Sequence, residues 1–398
     1  MTDKGVLNND SVFTSLMNEK FIQKDTSKIP ALSKFYKTDY FTLYTTKDKQ
    51  SSIKVYCELW DHIILIKESP NKKPMGFMDV SYARLKLTIN SEGKRLRLIK
   101  NKKYEELWSD DENTLNKWYE QLGKFCVYSN FRSDFDILTL LGKGNFAKVY
   151  LVEHKVTKKQ YSAKIFDKEL IKTDPFEMKC FLYEIQMLRE VDGPYLLNTS
   201  KLYEGESNIY CVGQYCSGGT IYEFLKEHGK PTEAHALTVI RQVLEALAYL
   251  HLKQLIHRDL KPENIIFNDK SFQSVTLVDF GFMTRSQEFK LLFTRCGTPG
   301  YVAPEVLADL NYDTSADMYS AGILFFALLT KKNPFQNKSY TKLIKNNKSG
   351  VVDYASIESS NLEKGSLSKV NLPSTRSAEI NARQGPEEEA FSSRAINA

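Results

Sequence analysis

The sequence has few cysteines. Its 398 residues include six cysteines, and none forms a C-x-x-C pair or stands at zinc-like spacing from a histidine. This spacing argues against the common zinc modules and against a disulfide framework. It favours a reducing, intracellular compartment, in which the thiols pack as small hydrophobic groups.

Long apolar runs are also absent. The longest one, residues 322–329, is too short to cross a bilayer. The first four residues are mostly polar, so neither a signal peptide nor a myristoylation motif is visible. We therefore expect a soluble, cytoplasmic protein whose contact with membranes is at most peripheral.

The chain as a whole has only a small excess of positive over negative charge. The formal net charge of +6 is modest for this length and gives no indication of nucleic-acid binding. The surplus is concentrated in residues 31–130, which hold 18 Lys and Arg against 13 Asp and Glu. This distribution predicts an anionic partner for that region.

The first third of the chain has the pattern of a small β domain. A polar leader over 1–30, with one short helix around 12–22, precedes a series of short runs rich in Val, Ile and Tyr. Apolar and polar residues alternate, and turn clusters separate the runs. An amphipathic helix with Trp118 near its centre closes the series. The pattern predicts a small antiparallel β-barrel capped by one helix, over 31–130.

The order of these strands, the length and the terminal helix over 114–127 with Trp118 resemble a pleckstrin homology domain. The resemblance implies that basic residues on the first two strands and their connecting loop bind a phosphoinositide headgroup or an anionic membrane surface. The alternative is a solvated face on a domain that binds protein or nothing. The candidate lysines are Lys34, Lys37, Lys47, Lys49 and Lys54.

One loop, residues 257–264, carries three different polar functions on Asp259, Lys261 and Asn264. Phosphoryl transfer needs a carboxylate to accept the proton of the attacking hydroxyl, an amide oxygen to hold a metal ion, and an ammonium group to meet the charge of the moving phosphoryl group. The apolar run 265–267 would anchor the loop to a rigid core. The loop predicts phosphoryl transfer, against the alternative of a charged surface turn.

Upstream residues supply partners for this loop. Gly142 and Gly144 stand between two predicted strands, where backbone amides approach phosphates closely, although a plain hairpin has the same pattern. Lys164 interrupts an otherwise apolar strand and needs an anionic partner. Glu184, in the next predicted helix, is the natural partner, and an ion pair would orient the ammonium group onto nucleotide phosphates.

Together these residues resemble a eukaryotic protein kinase over 136–336, with Asp-Phe-Gly at 279–281 and Ala-Pro-Glu at 303–305 as further marks. The resemblance implies an α+β multidomain chain. After the barrel comes a bilobal kinase fold, with a β-rich N-lobe over about 136–216 and a helical C-lobe from 217. Lys261 and the run 297–301 are similar to those of Ser/Thr kinases.

The resemblance also implies roles and cofactors. Asp259 would be the catalytic base, Asn264 and Asp279 would hold Mg²⁺, Lys261 would stabilise the transferred phosphoryl group, and Lys164 would meet the α- and β-phosphates of ATP. Protein substrates are implied. The residues expected around ATP are Leu141, Gly142, Lys143, Gly144, Val149, Ala163, Lys164, Gly213, Gln214 and Cys216.

Thr294 stands where kinases of the AGC group are phosphorylated, so an upstream kinase is an expected partner. Arg258 would pair with that phosphate and order the segment. The order of the domains is similar to that of AGC kinases, whereas the run 300–305 is as similar to that of calmodulin-dependent kinases. The group stays open.

From 337 to 398 the composition shifts to Ser, Asn, Lys and Glu, which predicts an atypical or disordered segment and an incomplete C-lobe. Family members pair an Arg from this region with the Glu that stands here as Glu305, and Arg376 is a weak match. The alternative function is therefore a nucleotide-binding scaffold with little catalysis.

Overall fold

The computed structural model describes residues 11–13, 22–44, 51–101, 103–144, 147–286 and 296–352. The chain divides into two compact units, Met1–Pro175 with Thr199–Gln214, and Phe176–Asn198 with Tyr215–Ala398. Within the described ranges, no helix combines the length and the hydropathy needed to span a bilayer.

The first part of the chain contains strands followed by one helix. They are β1 (Ile22–Gln23), β2 (Phe35–Tyr44), β3 (Ser52–Trp60), β4 (Ile63–Lys67), β5 (Gly76–Asp79), β6 (Arg84–Asn90), β7 (Gly93–Lys100), β8 (Lys103–Trp108) and α1 (Glu112–Leu122). The predicted strands correspond to β2–β7, and β8 was missed. Of the predicted leader helix, residues 14–21 lie outside the described residues, and residues 12 and 13 form a turn.

Helix α1 is the predicted amphipathic helix, and it ends earlier than predicted. The side chain of Asp111 accepts the N–H of Asn113 at the N-terminus, and Leu115, Trp118 and Leu122 are buried. The helix stops at Gly123, where a Cβ atom would lie 1.8 Å from the hydroxyl of Tyr128.

The Trp118 indole is a long-range tie across the first unit. Its Nε1–H donates to Asp39 Oδ2 on β2 at 2.7 Å, across 79 residues of sequence. The indole is fully buried, with Phe41 edge-on to it at 5.0 Å between ring centroids. Helix α1 is thereby fixed against the strands.

The chain continues through a second set of elements. They are β9 (Val127–Tyr128), α2 (Phe131–Asp134), β10 (Phe135–Lys143), β11 (Ala147–His154), β12 (Gln160–Asp167), α3 (Lys168–Thr173), α4 (Pro175–Glu190), β13 (Thr199–Glu204) and β14 (Asn208–Gln214). All of these except α4 lie in the first unit.

Strands of both sets form one sheet, in the order β1-β5-β4-β3-β2-β8-β7-β6-β9-β13-β14-β12-β11-β10. In the described part of the chain this series stays open, and no closed barrel is found over 31–130, where the sequence predicts a small antiparallel β-barrel. The short strand β9 is the reason, because it pairs in parallel with β6 on one side and with β13 on the other. The sheet therefore continues past the predicted domain boundary.

Aromatic side chains fill the seam beside β9. The rings of Tyr128 and Tyr203 stack at 5.2 Å between centroids, and those of Phe131 and Tyr210 stack at 4.0 Å. The Tyr203 hydroxyl donates to Asp134 Oδ2 at 2.6 Å. Such aromatic pairs stabilise the fold by more than the burial of their apolar surface alone. One cluster of buried residues runs through the strands on both sides of the seam.

Glu204, at the end of β13, joins three separate segments of the first unit. Its buried carboxylate accepts the Ser11 hydroxyl at 2.8 Å and the Val12 N–H at 3.0 Å. Lys168 Nζ, at the start of α3, lies 3.1 Å from Oε1, and an Arg84 guanidinium nitrogen on β6 lies 3.7 Å from Oε2. The carboxylate is thus fully partnered in a buried position.

The second unit is mainly helical after α4. Its elements are β15 (Gly219–Thr220), α5 (Ile221–His228), α6 (Glu233–Leu252), β16 (Leu255–Ile256), β17 (Ile265–Phe267), β18 (Val275–Leu277), β19 (Thr284–Arg285), α7 (Pro304–Leu307), α8 (Ser315–Thr330) and α9 (Tyr340–Ser349). Helix α8 is buried along most of its length and contains the apolar run 322–329.

The segment from 337 onward, which was predicted to be atypical or disordered, contains a helix in its described part. Residues 340–349 form helix α9, which ends at Gly350 in the left-handed conformation. The helix has little apolar surface, which is why the composition gave no signal for it. Its one buried residue is Asn347. Arg376 lies outside the described residues.

Candidate active site

The loop after β16 is held rigidly by Asp317, in the first turn of α8. One carboxylate oxygen of Asp317 accepts the N–H of His257 at 2.8 Å, and the other accepts the N–H of Arg258 at 2.9 Å. His251 Nε2 lies 2.9 Å from the same carboxylate. These bonds fix a backbone in which Arg258 has φ of +69°. His257 is fully buried, in agreement with a structural role in the loop.

The three predicted polar residues of the loop converge on one another. Asn264 Nδ2 donates to both the backbone oxygen and Oδ2 of Asp259, at 2.8 and 2.9 Å. Lys261 Nζ lies 3.2 Å from Asp259 Oδ2. All three side chains are buried in the second unit. A carboxylate held in this way is oriented in advance, as catalysis of proton transfer requires.

Thr298 is a site residue that the sequence reasoning did not single out. Its hydroxyl donates to Asp259 Oδ1 at 2.6 Å and accepts from Lys261 Nζ at 3.0 Å. The signal for it was present in the run 297–301, which was interpreted only as a mark of Ser/Thr kinases. The contact could not be read from the sequence because 39 positions separate the two residues.

Asn264 and Asp279 come to the same end of a strand pair. Strands β17 and β18 run antiparallel, with Ile265 opposite Leu277. The Val278 N–H donates to the backbone oxygen of Asn264 at 2.9 Å, which leaves the side-chain oxygen of Asn264 out of this bond. An amide oxygen and a carboxylate at one edge are hard oxygen ligands of the kind that Mg²⁺ takes. These two residues therefore fit the predicted Mg²⁺ and would supply two of its oxygen ligands. Within the described ranges, no cluster of three or more His, Cys, Asp or Glu forms a metal site.

Glu184 of α4 and Asp279 both face Gly281. A Cβ atom built on Gly281 would lie 3.4 Å from Asp279 Oδ1 and 3.6 Å from Glu184 Oε2. Glu184 is buried, and Asp279 has φ of +64°. The predicted ion pair of Glu184 with Lys164 stays a prediction, since the two residues belong to different units.

The two predicted phosphate-binding glycines lie in the hairpin of β10 and β11. Gly142 stands opposite Val149, and the Gly144 N–H donates to the Ala147 oxygen at 2.8 Å. A Cβ atom at Gly142 would meet no atom within 4 Å, so the space beside this backbone is open. Leu141 and Lys143 flank Gly142, and Leu141 is 45% exposed.

The other residues expected around ATP lie mainly on neighbouring strands of the first unit. Ala163 and Lys164 on β12 stand opposite Val212 and Cys211 of β14, and Gly213 stands opposite Ser162.

Gln214 ends β14 and is exposed, whereas Gly213 is buried. Cys216 belongs to the second unit, where its Sγ lies 3.5 Å from Asn268 Oδ1. Burial raises the pKa of the Cys216 thiol.

The predicted regulatory and lipid-binding residues are described only in part. Thr294, Lys47 and Lys49 lie outside the described residues. Arg258 Nε donates to the Phe282 oxygen at 2.6 Å, and Nη1 donates to the Tyr312 hydroxyl at 3.1 Å.

Of the described lysines, Lys37 forms an ion pair with Asp39 at 3.0 Å. Lys34 and Lys54 lie over the rings of Tyr36 and Tyr40.

Comparison with known proteins identifies the family. The family model described as "Protein kinase domain" matches residues 135–384. A serine/threonine-protein kinase H1 homolog of Pinctada fucata is 35% identical over 52% of this chain and 49% of its own length. A probable myosin light chain kinase of Dictyostelium discoideum is 33% identical over 56% of this chain and 71% of its own length. The serine/threonine-protein kinase ATG1a of Arabidopsis thaliana is 35% identical over 54% of this chain and 34% of its own length.

The chain thus spans about half the length of the Pinctada relative and about a third of the Arabidopsis relative. A β-rich part followed by a helical part, with mixed α/β content, fits the bilobal kinase fold. The prediction of a serine/threonine protein kinase is confirmed at the level of the family. The chain belongs to the protein kinase family, and the relatives it matches are serine/threonine kinases.

Proposed function

We propose that this chain is an ATP-dependent serine/threonine protein kinase that transfers the γ-phosphoryl group to a protein hydroxyl. The observation that carries the proposal is the buried cluster in which Asn264, Lys261 and Thr298 all contact the Asp259 carboxylate. In this cluster a base, a cation and a metal ligand are held together before substrate arrives, which is what phosphoryl transfer demands of a protein.

The roles follow from the groups. Asp259 accepts the proton of the attacking hydroxyl, and Lys261 stabilises charge on the transferred group. Asn264 and Asp279 hold Mg²⁺, which when bound neutralises the developing charge on the phosphate oxygens. Lys164, oriented by Glu184, meets the α- and β-phosphates.

A phosphotransfer assay from ATP to a generic protein substrate tests this function. The Asp259→Asn protein is the control, because the amide cannot act as a base while the side-chain volume is kept. We expect its rate to fall by roughly 10²–10⁴-fold, with its nucleotide-dependent rise in melting temperature retained. A melting shift without any transfer by the wild-type protein would favour the rival function, a nucleotide-binding scaffold.

We further propose regulation through Thr294 by an upstream kinase. Arg258 supports this, because its guanidinium is buried beside the catalytic loop and its backbone is bonded to Asp317. A phosphate on Thr294 would pair with it and order the segment that follows the metal ligand Asp279. A Thr294→Ala protein should lose most of its activity, and full activity in that protein would refute the regulatory step.

We also propose that the N-terminal strands and α1 are pleckstrin-homology-like and bring the kinase to anionic membranes from the cytoplasm. The order of β2–β8 followed by α1, with the buried Trp118, supports the likeness. In the kinase family, this arrangement resembles the AGC group, and the calmodulin-dependent group is the alternative.

Sedimentation with phosphoinositide-containing vesicles tests the membrane proposal, with neutral vesicles beside them. A Lys34→Glu/Lys54→Glu protein should bind at least about thirtyfold less than the wild type, because each surface lysine adds about 1 kcal/mol of attraction and two are lost. Lys158→Glu, a reversal at an exposed turn of the kinase part, is the matched control. Equal binding to both kinds of vesicle would refute the proposal.

A further inference from the structure

Helix α9 has one fully buried side chain, that of Asn347. The Asn347 Oδ1 atom accepts the N–H of Gly300 at 2.7 Å, and its Nδ2 donates to the Val302 oxygen at 2.9 Å. A single amide thus satisfies a donor and an acceptor that lie two residues apart on another segment. Asn347 has no exposed surface, so each of its bonds is made in a dry environment.

The segment that Asn347 holds is also fixed from two other sides. Asn333 Nδ2 donates to the backbone oxygen of Gly300 at 3.0 Å, and the Ser320 hydroxyl donates to the backbone oxygen of Tyr301 at 2.9 Å. Gly300 itself has φ of +96°, a conformation that a side chain would strain. Three consecutive residues are therefore clamped by side chains from three places in the chain.

This clamped segment forms one turn with Thr298. The backbone N–H groups of Tyr301 and Val302 both donate to the backbone oxygen of Thr298, at 3.0 and 3.2 Å. The Thr298 hydroxyl donates to Asp259 at 2.6 Å. A continuous set of hydrogen bonds thus runs from the Asn347 amide, through the turn, to the Asp259 carboxylate.

We propose that Asn347 is a positioning residue, which acts through the 298–302 turn to hold the Thr298 hydroxyl on Asp259. The proposal rests on the proposed function of Asp259 as the base. Loss of the Asn347 amide frees the Gly300 N–H and the Val302 oxygen, and the turn then relaxes away from the geometry that points Thr298 at the carboxylate. Helix α9 thereby contributes to catalysis without touching substrate.

The first experiment compares Asn347→Ala with Asn346→Ala in the full-length protein. Asn346 is the same residue type on the same helix, but it is exposed. We expect Asn347→Ala to lower kcat by about tenfold or more while the KM for ATP stays unchanged, and Asn346→Ala to behave as the wild type. An Asn347→Ala protein that melts as a folded protein and keeps the wild-type kcat would overturn the proposal.

A double-mutant cycle separates positioning from simple stabilisation. If Asn347 acts through Thr298, the kcat of Asn347→Ala/Thr298→Ala should equal that of Thr298→Ala alone, because the second change has nothing left to disturb. Independent, multiplicative losses of kcat would show that Asn347 serves only the fold, and would overturn the proposal.

Asn347→Asp supplies a second variant if the alanine protein does not fold. The carboxylate keeps an acceptor for the Gly300 N–H but lacks the donor for the Val302 oxygen. In its protonated form it regains that donor. The ratio of its kcat to the wild-type kcat should therefore rise as the pH falls. A ratio that does not change with pH would count against positioning.

Hydrogen exchange keeps this proposal distinct from the proposed function. The Tyr301 and Val302 amides should exchange faster in Asn347→Ala than in Asn346→Ala, whether or not the protein transfers phosphate. Unchanged exchange would overturn the role of Asn347 alone. Full activity of Asp259→Asn would instead overturn the proposed base, and would leave the exchange result to decide whether Asn347 orders the turn.

Discussion

The carboxylate of Asp317 accepts the backbone N–H of Arg258 at 2.9 Å, across 59 residues of sequence. Asp317 is fully buried, and with its second oxygen it accepts the N–H of His257. An acidic side chain at the start of a buried helix therefore acts as the anchor of the catalytic loop. Its two oxygens are both needed as acceptors.

We predict that Asp317→Asn lowers kcat roughly tenfold to a hundredfold, because an amide offers one acceptor and turns an N–H group toward a backbone donor. The measurement is steady-state phosphotransfer with the melting temperature recorded beside it. The neighbouring exposed residue supplies the control, as Met318→Ala should leave kcat unchanged. Equal kcat values for Asp317→Asn and wild type would contradict the anchoring role.

Gly213 predicts an unusual sensitivity to inhibitors. It is a buried residue of β14. The resemblance to kinases implies that it stands where the family has the side chain at the back of the adenine pocket. Without a side chain there, bulky adenine-site inhibitors should bind. Gly213→Met should abolish this inhibition and keep phosphotransfer activity, as shown by inhibitor titration of both proteins. Unchanged inhibition of the methionine protein would refute the prediction.

The aromatic seam beside Tyr128 leads us to predict that strands β2–β8 and strands β10–β14 unfold together. All three tryptophans, Trp60, Trp108 and Trp118, lie before the seam, so their fluorescence reports on the N-terminal part. ATP should raise the melting temperature seen by this fluorescence. Tyr128→Ala should lower the free energy of unfolding by about 3–5 kcal/mol. The exposed Tyr104→Ala is its control.

Two separate transitions would contradict this coupling. If the tryptophan transition of Tyr128→Ala moved while the loss of nucleotide binding stayed at the wild-type temperature, the shared core would not carry stability between the two parts.

The ion pair of Asp79 with Lys100 should make the free energy of unfolding fall in acid. Burial by itself would raise its pKa, but the Lys100 ammonium at 3.5 Å and the hydrogen bond from the Ser81 N–H at 2.8 Å outweigh burial, so the pKa lies below 3.8. The unfolded chain therefore binds the proton more readily than the folded chain. The stabilisation is present above pH 3.8 and is lost as the pH falls through the lower, folded-state pKa.

Urea denaturation of wild type and Asp79→Asn at several pH values measures this effect. We expect the wild type to be more stable by about 1–3 kcal/mol at neutral pH, and the difference to shrink on acidification. A difference that does not vary with pH would mean that the carboxylate charge has no part in it.

The catalytic loop could be predicted because its chemistry is local. Asp259, Lys261 and Asn264 stand close together in the sequence, so their spacing alone indicates one site. The α6 helix and most of β2–β7 were also predictable, since periodic apolar residues mark them. The pairing of β9 with both β6 and β13 was not predictable, because a strand of two residues leaves no periodicity to detect.

Other features depend on tertiary hydrogen bonds that composition does not reveal. Helix α9 has few apolar residues and no side-chain cap at Ser339, so its sequence resembles a polar tail. Its buried Asn347 supplies contacts that only the folded chain creates. Glu204 was missed for the same reason, since its partners come from Ser11 and Arg84, far away in the sequence.

The two-residue strand β9 has a consequence for any division of the chain into fragments. Because β9 pairs with β6 on one edge and with β13 on the other, a cut between the N-terminal strands and the kinase strands would remove a pairing partner from each side. A genetic exchange at this junction would have to carry matching partners for Tyr128 and Tyr203. Either part on its own would therefore present an unpaired sheet edge, which is a template for aggregation.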